Sequence, residues 1–216
     1  MNMYMSMIPD IIKSYSALVI LIILWNIYVV YKNKKEGTTL PICHIIGTFI
    51  FAFLITGMFY VAGLPDIFNF ELSIEKINMD ILTNWPSAMG LYIANVIMFM
   101  PLGFMLPLLW REYHNPLRVL FFSFGLSMVI EISQLFNHRV TDIDDLITNT
   151  LGGLLGYVIY FLFYLIVKPL FKHFKVDWFS DPPGFWLEYE NKILIILVYL
   201  GNFFLSPLAF RLFFKH

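Results

Sequence analysis

The chain has 216 residues, of which 59% are hydrophobic, 19% aromatic and only 13% charged, with a net charge of −1. A soluble domain carries about 25% charged residues, and a chain of this size leaves too much surface outside its core to keep so many apolar side chains from water, so most of that surface must face lipid. With no basic stripe to displace condensed counterions, nucleic acid is excluded as a partner.

The opening "MNMYMSMIPD" has no basic residue ahead of its apolar run, so no cleaved signal peptide is expected. A spanning helix needs about 20 mostly apolar residues, and residues 11–31 supply the first such run. Others cover 42–62, entered through Pro41, then 91–110, 117–136, 146–167 and 193–213. None alternates polar and apolar residues at period two, as barrel strands would. The expected fold class is all-α, a polytopic helical membrane protein with five to six transmembrane helices in a single integral-membrane domain over 1–216. The last run holds Asn202 and Pro207 and reads either as a bent span or as a re-entrant hairpin. Cys43, the one cysteine, reads as a small buried hydrophobe.

Lys32, Lys34, Lys35, Arg111, Arg118, Lys168, Lys172 and Lys175 fall on one side of this arrangement, against Lys76 and Arg139 on the other. Basic residues in short loops stay inside, so the N-terminus is expected outside. A sixth span then puts Arg211 and Lys215 outside as well, against the rule. The acidic, apolar-dotted connection 63–90 reads as an external segment lying on the interface, and "DWFSDPPGFWLEYE" (177–190) as an internal interfacial loop.

Polar residues concentrate in "EISQLFNHRVTDIDDLITNTLGG", residues 131–153. Glu131 lies about five residues before the outer end of the fourth helix, about 8 Å below the rim. An acid at that depth is costly and faces protein or water rather than lipid; it either pins helix packing or handles a ligand or proton, and the second reading is favoured. Gln134 shares its face at i+3. Thr141 or Asp142 can cap the fifth helix, and Thr141 with Asp144 approximates a capping box. Capping leaves unexplained why Asp142, Asp145 and Asn149 fall at i, i+3 and i+7, on one stripe. Gly152 and Gly156 continue that stripe as a small-xxx-small pair suited to close helix approach. In the third helix Asn95 lies near the outer rim, Pro101 should kink the helix, and Gly103 permits tight packing.

Asn95, Glu131, Gln134, Arg139, Asp142, Asp145 and Asn149 are therefore expected to line a polar cleft at the outer leaflet, walled by the third, fourth and fifth helices. Arg139 would clamp an anion through its planar fork, or neutralise Glu131 or Asp142. The acids are of the type that holds Mg²⁺ or Ca²⁺, but the spacing demands no metal and no cofactor is expected. His138 stands alone on the turn and His44, His114, His173 and His216 are scattered, so there is no zinc-type cluster. No Ser–His–Asp set, P-loop or nucleotide fingerprint is present.

"NVIMFMPLGFMLPLLW" followed by "EISQLFNHRVTDIDDLITNTLGGLLG" resembles the VanZ-like family of bacterial membrane proteins. The matching elements are Asn95 with Phe99-Met100-Pro101-Leu102-Gly103-Phe104, then Glu131 with Gln134, Arg139 with Asp142, and Asp145-Leu146 with Asn149. Gly152, Gly153 and Gly156 complete the set. This core runs from about 91 to 167; the interfacial loop and last helix, 176–216, lie outside it. The resemblance implies a multi-pass protein of the bacterial cell membrane associated with resistance to teicoplanin-type glycopeptides, with partners among membrane lipid, a lipid-linked cell-wall precursor or the lipoglycopeptide itself. One alternative is an intramembrane enzyme acting on a phosphate-bearing lipid, with Glu131 or Asp145 as general base and Arg139 holding the anion. A permease-like subunit and a purely structural role are further alternatives; permeation is disfavoured because the inner halves of the third to fifth helices offer almost no polar residues.

Overall fold

A computed structural model describes residues 2–72, 77–78, 87–137, 141–174 and 185–213, and hydropathy and chain breakers divide these into seven helices. They are α1 (Asn2–Lys35), α2 (Ile42–Ala62), α3 (Met89–Leu109), α4 (Pro116–Gln134), α5 (Ile143–Phe171), α6 (Phe185–Glu188) and α7 (Glu190–Phe213). All but the four-residue α6 are long and apolar enough to cross a membrane. Two two-residue strands, β1 (Ile77–Asn78) and β2 (Thr141–Asp142), pair in parallel. The chain is thus an all-α, multi-pass membrane protein. Large apolar side chains such as Ile20, Ile27, Ile97, Phe121 and Ile166 stand outward, as they must when the surrounding solvent is hydrocarbon.

Local sequence sets the breaks. Gly37 takes a positive φ of 79° where α1 ends, a conformation that favours glycine, and the Thr38 amide closes the end by donating to the Asn33 carbonyl (2.9 Å). Asn115 caps α4, its side chain accepting from the Leu117 amide (2.9 Å), with Pro116 at the first helical position, where a missing N–H costs nothing. α5 loses helical geometry at Val167, two residues before Pro169.

The described residues form two compact units. In the first, α1 packs antiparallel to α2 and α7. The Tyr15 hydroxyl donates to the Phe49 carbonyl (2.9 Å) and that of Thr48 to Asn26 Oδ1 (2.9 Å). Gly201 of α7 lies against Leu18, while Trp186 of α6 meets Trp25 and Tyr28 at the other end of α1. α7 is one continuous helix of 24 residues, which settles the open reading of the last run as a full-length span. Asn202 does not bend it into a hairpin, because its amide is satisfied locally by the Val198 carbonyl (2.9 Å). Arg211, the charge that sat awkwardly with the loop rule, stacks its guanidinium 3.2 Å from the Phe68 ring centroid.

The second unit holds α3, α4 and α5. The short turn through Arg111–His114 makes α3 and α4 antiparallel, and α5 in turn runs back along α4. α3 and α5 pack closely along glycines. A Cβ on Gly152 would strike the carbonyl oxygen of Val96, one on Gly156 that of Met100, and one on Gly103 the carbonyl of Gly153. α3 runs as one helix through Pro101 and Pro107. The connection 63–90 is described only in part. What is described is tied to the 135–142 turn: the Glu71 amide donates to the Phe136 carbonyl (3.0 Å), Phe70 stacks on Phe136, and β1 pairs with β2. Residues 177–184 of the expected internal loop lie outside the described residues; Phe185–Glu188 of it form α6.

Candidate functional site

The three helices of the second unit bring their polar residues together at one end, where α3 and α5 begin and α4 finishes. The capping of α5 organises them. Asp142 is the cap: its Oδ1 accepts from the Asp144 amide (2.9 Å). In a capping box the third helical residue, here Asp145, would turn back to the cap's own N–H. Instead Glu131, across the turn in α4, accepts that N–H on Oε2 (3.0 Å), and the Thr141 hydroxyl donates to the Glu131 carbonyl (3.1 Å). Glu131 therefore substitutes for the box residue and fastens the two arms of the hairpin.

That substitution frees Asp145 to face α3, where its Oδ1 accepts from Asn95 Nδ2 (2.6 Å). Thr148 Oγ1 is a longer second partner of the same amide (3.4 Å). Asp145 and Asn95 are both only part-buried, as are Asp142 and Asn78, so this pair is among the accessible parts of the cluster. Asp144 is engaged otherwise than a Thr141–Asp144 capping box requires. It is 1% exposed, and its Oδ2 accepts a 2.6 Å hydrogen bond from the Tyr92 hydroxyl. Asp142 Oδ2 accepts from Asn78 Nδ2 (3.0 Å), so β1 brings an amide to the cluster. Glu131 lies within electrostatic reach of Asp142 and Asp145, and Tyr92 within reach of Asp142, Asp144 and Asp145.

Two of the expected residues point elsewhere. Gln134 donates to the Ala62 carbonyl (2.8 Å) and its neighbour Asn137 to the Gly63 carbonyl, so they anchor the chain where it leaves α2. Asn149 donates to Ser127 Oγ (3.0 Å) in the α4–α5 seam, one turn below Asp145. Arg139, with His138, lies outside the described residues. Among the described residues no group of three or more His, Cys, Asp or Glu is placed to hold a metal ion.

Asn78, Tyr92, Thr148, Ser123 and Ser127 join or adjoin the cluster without having been singled out from sequence, and Asp144 was read there only as a capping acid. Tyr92 at a helix end reads as an interfacial anchor, and the serines read as small fillers of an apolar run. The signal that could have found Tyr92 is its place one turn before Asn95. Chemically the cluster is a set of carboxylate acceptors engaged by amide, hydroxyl and backbone donors. Its part-exposed members suit a ligand rich in hydroxyl or ammonium donors.

The VanZ/LLP1 family matches residues 15–164. Protein VanZ of Enterococcus faecium is 44% identical over 69 residues, which is 32% of this chain and 42% of that protein. The match thus spans less than half of that relative. No solved structure matches the chain. The family match covers well over half of the sequence, and the chain belongs to the VanZ/LLP1 family.

Proposed function

We propose that this VanZ/LLP1 protein lowers sensitivity to teicoplanin-type glycopeptides from within a bacterial cell membrane. Its polar cluster would engage a lipid head group or the head of a lipid-linked cell-wall precursor at the outer leaflet. The observation that carries the reading is the part-exposed Asn95–Asp145 pair (2.6 Å). It is left accessible because Glu131 takes over the capping of Asp142. Stability alone would be served by Asp145 closing its own capping box; an arrangement that keeps a carboxylate and an amide together at a helix end favours recognition. Asp145 and Asp142 accept donors from the ligand, and Arg139, in the same turn by sequence, holds its phosphate.

The test is teicoplanin sensitivity of cells expressing D145N, R139A and E131Q at matched membrane levels. The expected result is a return toward the sensitivity of cells lacking the protein, with D145N and R139A most affected. Unchanged sensitivity in all three sinks the resistance reading. Incubating the purified protein with lipid-linked pyrophosphates then separates binding from turnover: release of phosphate that D145N or E131Q abolishes replaces the binding reading with the enzymatic one.

A further inference from the structure

Below the acidic cluster, the α4–α5 seam stays polar where lipid-facing chemistry would make it apolar. Glu131, Ser127 and Ser123 lie one helical turn apart on α4, so the line from Glu131 to Ser123 runs about 12 Å along the axis. Ser123 and Ser127 are wholly buried and Asn149 is 2% exposed. Asn149 Nδ2 donates to Ser127 Oγ, but Asn149 Oδ1 and Ser123 Oγ find no hydrogen-bond partner among the described residues.

Several other Ser and Thr hydroxyls in these helices bond back to their own helix. Ser133 donates to the Val129 carbonyl (2.6 Å), Thr148 to that of Asp144 (2.8 Å) and Thr150 to that of Leu146 (2.7 Å). Ser123 instead turns toward α5: a Cβ on Gly153 would strike its Oγ. Glycine at 153 thus leaves room for a hydroxyl that bonds none of the described residues. Buried polar atoms left in that state are normally satisfied by ordered water.

We propose that the α4–α5 seam is a buried hydration site, with water held between Ser123, Ser127 and Asn149. The spacing fits. Residues one turn apart are separated by about 5–6 Å, which is what a water bridges with two hydrogen bonds of about 2.8 Å. The chemistry also selects water over a bare cation. Water donates to the amide oxygen and accepts from the serine hydroxyl, whereas a cation would satisfy the oxygen and leave the hydroxyl proton unpaired. Val119, one turn below Ser123 and fully buried, closes the site toward the other end. Internal water then sits in the seam one turn and more beneath the Glu131 carboxylate, reaching the middle of the span. The inference stands on burial and on the two unpartnered atoms, and does not depend on which ligand the acidic cluster engages.

Silver ion is close to water in size and blocks thiolates, so it reads the site directly. The full chain carrying Cys43→Ala and Ser123→Cys, in lipid nanodiscs, is exposed to Ag⁺, then unfolded in detergent and labelled with a fluorescent maleimide. Ag⁺ is expected to prevent most labelling of Ser123→Cys and to leave a Val119→Cys control labelled. Equal labelling of both overturns the proposal. Thermal unfolding of Ser123→Ala is a second measure with opposite signs for the two cases. A dry seam gains from losing an unpaired hydroxyl and the melting temperature rises. A hydrated seam loses a water partner and it falls by about 2–4 °C, with less than additive loss when combined with Asn149→Leu.

Discussion

Glu131 illustrates how one carboxylate can be structural and still determine what its neighbours do. Its Oε2 accepts the Asp142 amide proton, a role that glutamine's amide oxygen can also fill and alanine cannot. E131Q should therefore melt close to the parent protein, while E131A takes the acceptor from a part-buried N–H and loses about 0.5–1.5 kcal/mol. Thermal unfolding in detergent checks both. A folded E131Q that also keeps resistance would confine Glu131 to fastening the hairpin. Tyr92 is the complementary case. Removing its hydroxyl takes the 2.6 Å donor from Asp144, which is almost fully buried. Y92F should lose about 1–3 kcal/mol in the same measurement, although no ligand contact is removed. Depth and helical phase within residues 131–153 located Glu131, Asp142 and Asp145, and the rim position of Asn95 placed it with them. The same pattern could not assign Asp144, because a capping acid and a buried hydrogen-bond acceptor look alike in sequence. The partner that distinguishes them, Tyr92, lies 52 residues away.

At the scale of elements, glycine placement decides which helices come close. Gly152 and Gly156 face backbone atoms of α3 at Val96 and Met100, which cannot move aside as a side-chain tip can. Val at either position should therefore prevent correct packing of α3 on α5, with loss of monodisperse protein in size-exclusion chromatography. A methyl group added at Gly125 of α4 would meet nothing within 4 Å, so G125A should be neutral or slightly stabilising. These spans were readable because hydropathy averages over about 20 residues and tolerates error at each one. The last span resisted that reading because Asn202 and Pro207 are each consistent with a break, and the unbroken course of α7 through both residues removes the ambiguity. The α2–α7 contact was not readable at all. His44 Nε2 lies 2.8 Å from Glu190 Oε2, with both residues fully buried and 146 positions apart. Periodicity carries no information about a pair at that separation.

Across the whole molecule, charge and helix direction bear on one question, which side each end faces. In the first unit α1 and α7 run antiparallel, with Trp25 and Tyr28 beside Trp186 at one end and Lys13 over the Phe210 ring at the other. Lys32, Lys34 and Lys35 close α1 at the end that holds Trp186. In the second unit the acids gather at one end of α3, α4 and α5, while Arg111, Arg118 and Lys168 lie at the opposite end of the same helices. Basic residues near span ends are retained on the cytoplasmic side, so the charges at the ends of α3, α4 and α5 predict that the acidic cluster faces outside. Arg211 and Lys13, at the other end of the first unit, oppose it; the Arg211 guanidinium, 3.2 Å over the Phe68 ring, gains a cation–π contact there. Reporters test this independently of any ligand. An alkaline phosphatase fused after residue 216 should be active and a green fluorescent protein there dark, with the reverse result for fusions in the 111–115 turn. Replacing Lys32, Lys34 and Lys35 with glutamine should weaken the asymmetry. Phosphatase activity from the 111–115 fusion would place Glu131 and Asp145 on the cytoplasmic side, where an externally acting glycopeptide cannot meet them.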